Sequence, residues 1–279
     1  EPVLPKDASA PRGSVTLAAA ALLGGFLGLC FAALNELRER SFRLGTQITR
    51  ELGMHFIGYL PLLQVRRGRG RRAAKGGVEL QDVIRGQVLG SRSNATVTAF
   101  TETLKATRIA LDARCHSGRA VVAGVTSILP GEGKTTYGVA LAEMLAAAGS
   151  RVLLIDGDLR HPAASRLAAP TATAGLIDAA EGRPWRGLVQ VDDRTGLAVL
   201  PAATTLEDTL VADPLSSGTM SQIVHEAREA FDYVVIDLPP LSPMVDALSV
   251  LPLTDGFVLV TEWGRTPRRL VRSALEREP

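Results

Sequence analysis

The sequence holds 279 residues, room for one large α/β domain plus something smaller. Apolar residues make up 46% and aromatics only 4%, so a core must be rich in Leu, Val and Ala, and a net charge of +2 is too small to imply a nucleic-acid partner. The two cysteines, Cys30 and Cys115, lack metal-ligand spacing and cannot form a disulfide framework, which leaves a reducing compartment as the default.

The first element is the uncharged run Val15 to Leu34 (VTLAAAALLGGFLGLCFAAL), close to the ~20 residues that cross a bilayer as a helix. Pro2, Pro5 and Pro11 precede it and the charged NELRER follows from Asn35. Two other readings compete. A buried core helix would normally carry a polar face, and the apolar part of a secretory signal is shorter. Gly24 and Gly28 form a lone G-x-x-x-G, a weak sign of close helix packing in lipid. Lys6 and Arg12 stand before the run, whereas Arg38, Arg40, Arg43 and Arg50 follow it, so the C-terminal side is expected in the cytoplasm.

Glu36 to Leu63 reads as a short helix and an extended stretch ending in GYLPLL. The next segment, Val65 to Gly77 (VRRGRGRRAAKGG), interleaves five arginines with glycine and is expected to be a basic tether. Its charge would also attract anionic lipid. From Ala120 the pattern changes. AVVAGVTS (Ala120 to Ser127), RVLLID (Arg151 to Asp156), LAVLP (Leu197 to Pro201), YVVID (Tyr233 to Asp237) and GFVLVT (Gly256 to Thr261) are short apolar runs that read as buried strands. Helical stretches alternate with them: Thr135 to Ala148, stopped by Gly149; the amphipathic Gly218 to Phe231; and a basic helix from Pro267. Strands apolar on both faces, alternating with helices, predict an α/β fold with a doubly wound, mostly parallel sheet. Ligands of such sheets bind at the carboxyl ends of the strands.

That end carries the chemistry. Between the first strand and its helix lies PGEGKTT, the context in which a phosphate-binding loop is credible. The glycine that usually opens G-x-x-x-x-G-K-[ST] is replaced by Ile128, but Gly131 and Gly133 still allow the backbone to approach phosphate oxygens. Pro130, Gly131, Glu132, Gly133, Lys134, Thr135 and Thr136 are therefore the expected nucleotide-binding residues. Lys134 is expected on the β- and γ-phosphates and the Thr135 hydroxyl on Mg²⁺. Asp156 ends the second strand and begins D-x-D-x-R with Asp158 and Arg160, while Asp237 ends YVVID. A single aspartate after a strand is usually a turn residue or cap. Two strand-ending aspartates in a chain with a phosphate loop point instead to a metal–nucleotide site.

TSILPGEGKTT, VLLIDGDLRHP and FDYVVIDLPP resemble the Walker A, Walker A′ and Walker B motifs of bacterial tyrosine kinases. These are the cytoplasmic domains of polysaccharide co-polymerases in capsule and exopolysaccharide export, built on the P-loop NTPase fold of MinD/ParA type. The resemblance spans roughly Thr98 to the C-terminus, and the proline-rich lead, the apolar run and LGMHFIGYLPLL look like the second transmembrane helix and juxtamembrane part of those proteins. It implies a division into a periplasmic stub (1–14), a transmembrane helix (15–34), a juxtamembrane segment with its Arg/Gly linker (35–97) and a P-loop kinase domain (98–279). It implies ATP and Mg²⁺ as cofactors, with Lys134 and Thr135 holding them. Asp156 would activate the attacking tyrosine hydroxyl or help hold the metal, Asp158 would assist, and Asp237 would position Mg²⁺. Arg160 matches the family's arginine, with a structural salt bridge as the competing role. FTETLKATRIAL carries Glu102, Lys105 and Arg108 at the family's E-x-x-R-x-x-R ring-forming motif, with Lys105 in place of an arginine and a solvated charged face as the alternative. The resemblance further implies an inner-membrane homo-oligomer that works with polysaccharide polymerase and export machinery and a cognate phosphatase.

Two departures stand out. The family's tyrosine-rich tail has no counterpart after Tyr233, and of the other tyrosines Tyr59 lies far upstream and Tyr137 in the first turn after the loop. The opening Glu1-Pro2 and the ending at Pro279 are read as marks of a fragment. The competing functions are a MinD/ParA-type ATPase switch, from which the absence of a lysine at Leu129 leads away, and a nucleotide-binding membrane scaffold. The arginines of the last helix, Arg265, Arg268, Arg269 and Arg272, are expected on a solvated face.

Overall fold

A computed structural model describes residues 13–38, 41–61, 95–113, 119–202, 215, 218–242 and 246–276. The basic tether at 65–77, Cys115 and nearly all of the N-terminal stub lie outside the described residues. The chain forms two compact units, Glu1–Ser41 and Phe42–Pro279.

The first unit is the helix α1 (Gly13–Arg38), about 39 Å long at 1.5 Å per residue. Its first 19 residues, Gly13–Phe31, have a mean hydropathy of 2.0 and none of them is buried. Leu17, Leu22 and Phe31 are exposed on a helix that is apolar all round. A core helix of a water-soluble domain would bury such side chains; in lipid they need no protein partner.

The second unit begins with α2 (Gly45–Leu52). Gln47 Oε1 accepts the N–H groups of Arg43 and Leu44 at 3.0 and 3.3 Å, which anchors the first turn. Gly53, at φ 66°, ends the helix with its N–H on Thr49 O. The extended stretch after it folds back along α2. A Cβ at Gly45 would lie 2.4 Å from the Phe56 ring, so only glycine admits that approach.

The strands are β1 (Val121–Ser127), β2 (Val152–Asp156), β3 (Gln190–Val191), β4 (Ala198–Leu200), β5 (Tyr233–Asp237) and β6 (Gly256–Val260). They form one sheet in the order β3-β4-β2-β5-β1-β6. Every pairing is parallel except the short β3–β4 edge. The predicted mostly parallel sheet is thus the observed one, with a two-residue antiparallel edge added.

Alternation along the strands sends residues to two cores. Val121, Ala123 and Val125 with Val152, Leu154 and Val235 meet α3 (Ala95–Asp112) and α4 (Lys134–Ala147), through Phe100, Leu104, Leu141 and Leu145. Val122, Leu153, Ile155, Val234 and Ile236 meet α7 (Gly218–Ala230) and α8 (Arg268–Leu275), through Met220, Ile223 and Val271. Both faces are covered, which is why β1, β2 and β5 are buried at every residue. Short helices α5 (Ala163–Ala168) and α6 (Leu176–Ala180) follow β2. Two 3₁₀ segments, Trp185–Leu188 and Asp246–Leu253, complete the described elements.

Candidate nucleotide and metal site

Because β5 lies between β1 and β2, the carboxyl ends of all three strands meet at one place. The register sets Asp237 opposite Asp156 on β2 and opposite Val125 on β1. The loop after β1 therefore emerges beside both strand-ending aspartates. In that loop Gly131 and Gly133 have φ of 84° and 92°, a region costly for residues with a Cβ. No heavy atom would lie within 4 Å of a Cβ at either glycine, so backbone conformation rather than space demands glycine here. Gly133 leads directly into α4, whose first N–H groups and dipole favour an anion.

Lys134, Thr135, Asp156, Asp158 and Asp237 are all buried. Lys134 Nζ lies 2.8 Å from Asp158 Oδ2 and 3.5 Å from both Asp237 oxygens. The Thr135 hydroxyl donates to Asp237 Oδ2 at 2.7 Å. Asp156 is held from another side: its Oδ2 accepts the Ser165 N–H at 2.7 Å and the Ser165 hydroxyl at 2.6 Å, and its Oδ1 accepts the Asp158 N–H at 3.2 Å. Ser165 is itself fixed, its Oγ accepting the Ala202 N–H at 2.9 Å.

Two buried carboxylates, Asp158 and Asp237, thus share one ammonium group, and Asp156 feels its charge without touching it. Burial pushes Asp237 up to about 7, against the pull of Lys134 and with added repulsion from Asp156 and Asp158. Burial also raises Asp156, opposed by its bonds from Ser165 and Asp158 and by the charge of Lys134. A site with surplus buried negative charge, lined by hydroxyl and carboxylate oxygens, suits Mg²⁺ and the phosphates that accompany it. No group of three or more His, Cys, Asp or Glu spaced to hold a metal occurs among the described residues. A cation here would complete its shell with phosphate and water, as Mg²⁺ commonly does.

The remaining expected residues fall as follows. Pro130 is exposed at the loop tip and Thr136 is half-buried in the first turn of α4. Glu132 turns its carboxylate onto protein: Oε2 accepts the Leu129 N–H at 2.6 Å, and Oε1 accepts the Glu262 N–H at 3.1 Å and the Thr266 hydroxyl. It clasps the phosphate loop to the loop after β6. Arg160 is exposed, two residues beyond Asp158. Glu102 and Lys105 pair with each other at 2.9 Å on the outer face of α3, and Arg108 Nε lies 3.6 Å from Asp112. The inner face of α3 is tied to the site helix through Thr107, whose hydroxyl bonds Tyr137. On α8, Arg268 and Arg272 reach Glu51 of α2 at 3.0 and 3.9 Å, so part of the expected solvated face is a contact.

Sequence reasoning missed Ser165 and the clasp made by Glu132. Nothing in the local pattern marks Ser165, which reaches Asp156 only because α5 returns over the end of β2. A separate cavity at the opposite end of β2 and β4, lined by Gly149, Arg151, Val152, Val191, Ala198 and Phe231 among others, shares no residue with the cluster.

A family model described as an AAA domain matches residues 125–262. The succinoglycan biosynthesis transport protein ExoP of Rhizobium meliloti is 38% identical over 99% of this chain and 36% of its own length. The tyrosine-protein kinase CpsD of Streptococcus agalactiae is 34% identical over 56% of this chain and 68% of its own. The chain therefore spans about a third of the length of ExoP and about two thirds of CpsD. Among solved structures, the kinase domain of Escherichia coli tyrosine kinase ETK superposes with a TM-score of 0.68 at 21% identity, over 85% of this chain and 89% of that one. The VpsO kinase domain gives 0.54 at 31% identity, over 62% and 85%. ETK shares the fold. The identity with CpsD, together with the phosphate loop and the two strand-ending aspartates brought together here, shows that the chain belongs to the bacterial tyrosine-kinase family of P-loop proteins.

Proposed function

We propose that this chain is the membrane-anchored, cytoplasmic catalytic part of an inner-membrane protein-tyrosine kinase, transferring the γ-phosphoryl group of ATP to tyrosine and acting in exopolysaccharide polymerisation, chain length and export. The observation that carries the reading is the buried cluster Lys134–Thr135–Asp158–Asp237 with Asp156 beside it. Phosphoryl transfer requires positioning and charge neutralisation more than covalent chemistry, and the cluster offers both.

In this reading the N–H groups of Gly131 to Thr135 receive the phosphates. Lys134 exchanges its contacts with Asp158 and Asp237 for phosphate oxygens and offsets the charge that grows on the leaving group. Thr135 and Asp237 would hold Mg²⁺, which when bound supplies charge neutralisation across the β- and γ-phosphates. Asp156 has one oxygen committed twice to Ser165 and the other only to a 3.2 Å contact. That second oxygen is the one available to take the phenolic proton. Its raised proton affinity, caused by burial, favours that role. Asp158 positions Lys134.

The role in polysaccharide production rests on the resemblance to ExoP, a succinoglycan biosynthesis transport protein, over nearly the whole chain. The outward Glu102–Lys105 pair and Arg108 would meet a neighbouring subunit in a ring-like homo-oligomer. Turning the signal off would need a phosphatase. The deciding experiment follows the γ-phosphate of labelled Mg²⁺–ATP when the chain is given a random glutamate–tyrosine copolymer. Label on tyrosine is expected. Release as free phosphate alone would indicate an ATPase switch, and nucleotide binding without turnover a scaffold.

A further inference from the structure

We propose that Tyr59 is a phosphoacceptor for a second copy of this chain. The proposal rests on the kinase reading above and names an acceptor which that reading leaves open. The sequence has three tyrosines, and their environments differ sharply. Tyr137 is 2% exposed with its hydroxyl against Thr107. Tyr233 is 8% exposed and its hydroxyl donates to the Asp112 carboxylate. A phosphate on the first would bury a dianion, and on the second would face a carboxylate after losing the donated proton.

Tyr59 is 50% exposed. Its hydroxyl accepts the Gly45 N–H at 3.1 Å in the first turn of α2. A phosphate ester can only accept at that position, so it continues the role the hydroxyl already plays. The chain around Tyr59 belongs to neither a helix nor a strand from Gly53 to Pro61. It is tied down by the Thr103 hydroxyl on Tyr59 O at 3.0 Å and by ring contacts to Phe56 and Trp263, with centroids 4.8 and 5.4 Å apart. Presenting Tyr59 to another molecule breaks these contacts and no sheet ladder, the kind of opening that occurs without global unfolding.

The acting site belongs to another copy, because within one chain the loop after β6 holds both the phenol and the phosphate loop in place. Trp263 packs on Tyr59, while its neighbours Glu262 and Thr266 hold Glu132 of the phosphate loop. The loop after β6 thus touches both the phenol and its own phosphate loop. In the transfer, Tyr59 Oη forms a bond to the γ-phosphorus of ATP as the bond from that phosphorus to the β–γ bridging oxygen breaks. ADP leaves with the electron pair, and the phenolic proton passes to Asp156 of the acting copy and then to water.

The test uses two full-length chains with Mg²⁺–ATP. Tyr59→Phe serves as enzyme and Lys134→Ala, which retains Tyr59, as acceptor; peptide mass mapping locates the phosphate. The expected result is phosphate on Tyr59 of the acceptor, with labelling of a Lys134→Ala/Tyr59→Phe acceptor falling to the background of the acceptor incubated alone. The Tyr59→Phe enzyme should phosphorylate the glutamate–tyrosine copolymer at the wild-type rate. Copolymer labelling with Tyr59 bare, or with phosphate on Tyr137 or Tyr233 instead, overturns the Tyr59 assignment and leaves the kinase reading intact. If the copolymer stays unlabelled with wild type as well, both are overturned.

Discussion

Replacing Asp237 with Asn should make the metal-free protein more stable, and the gain should depend on pH. Burial holds Asp237 in the folded chain at about 7, against an ordinary value of 3.8. Between those values the folded state binds a proton that the unfolded state has released. Stability contributed by this group is therefore full below about pH 4, falls as pH rises to about 7, and is flat above. Three pH units at 1.36 kcal/mol each put the whole cost of ionising Asp237 on the order of 4 kcal/mol. More than half of that lies between pH 5 and pH 8. Asn is neutral throughout, and its carbonyl oxygen can still accept the Thr135 hydroxyl that lies 2.7 Å from Asp237 Oδ2. Urea unfolding in mild detergent with EDTA, followed by fluorescence of the buried Trp185, should show Asp237→Asn gaining on wild type as pH rises from 5 to 8. Titrating groups remote from Asp237 cancel in the difference between the two proteins, whereas Lys134, Asp156 and Asp158, which feel its charge, contribute to it. A difference independent of pH, or a wild type more stable than the variant at pH 8, would mean that ionised Asp237 carries no such cost. Mg²⁺–ATP should then reverse the order by stabilising wild type and not the variant.

Removing the clasp with Glu132→Ala should weaken ATP affinity roughly tenfold, the loss of one to two hydrogen bonds to a charged group, while Glu132→Gln keeps part of it; titration calorimetry with Mg²⁺–ATP measures both. Ser165→Ala withdraws the hydroxyl bond that lowers the proton affinity of Asp156, so the acidic limb of the pH–rate profile should move to higher pH. Thr107→Val deletes the buried bond to Tyr137 and should lower unfolding stability by about 1 kcal/mol, read as a drop in Tm. Glu102→Ala combined with Arg108→Ala should reduce the oligomer mass in light scattering, with the melting temperature nearly unchanged because the pairs they form are exposed.

The parts of the fold legible in the sequence were those whose pattern is dictated locally. YVVID and RVLLID lie between two packed layers and so read as unbroken apolar runs, each ending in an aspartate that the sheet then sets side by side. PGEGKTT was legible because positive φ at Gly131 and Gly133 calls for glycine whatever surrounds them. What escaped depends on contacts between distant residues. Glu132 looks like a loop residue facing a nucleotide, yet partners 130 and 134 residues away turn its carboxylate onto the loop after β6. Ser165 lies nine residues from Asp156 and is marked by no periodicity. The basic stripe of α8 reads as solvated, but Glu51, more than 200 residues earlier, claims Arg268. Likewise β3, two residues at a sheet edge, is too short to carry a pattern.

The central claim, that this cluster transfers phosphate to tyrosine, is tested most directly by phosphotyrosine formation on the glutamate–tyrosine copolymer with Mg²⁺ and γ-labelled ATP, comparing wild type, Lys134→Ala and Asp156→Asn. Label on tyrosine is expected with wild type and its loss in both variants, each of which removes a buried charge from the site. Undiminished phosphotyrosine in Lys134→Ala would contradict it.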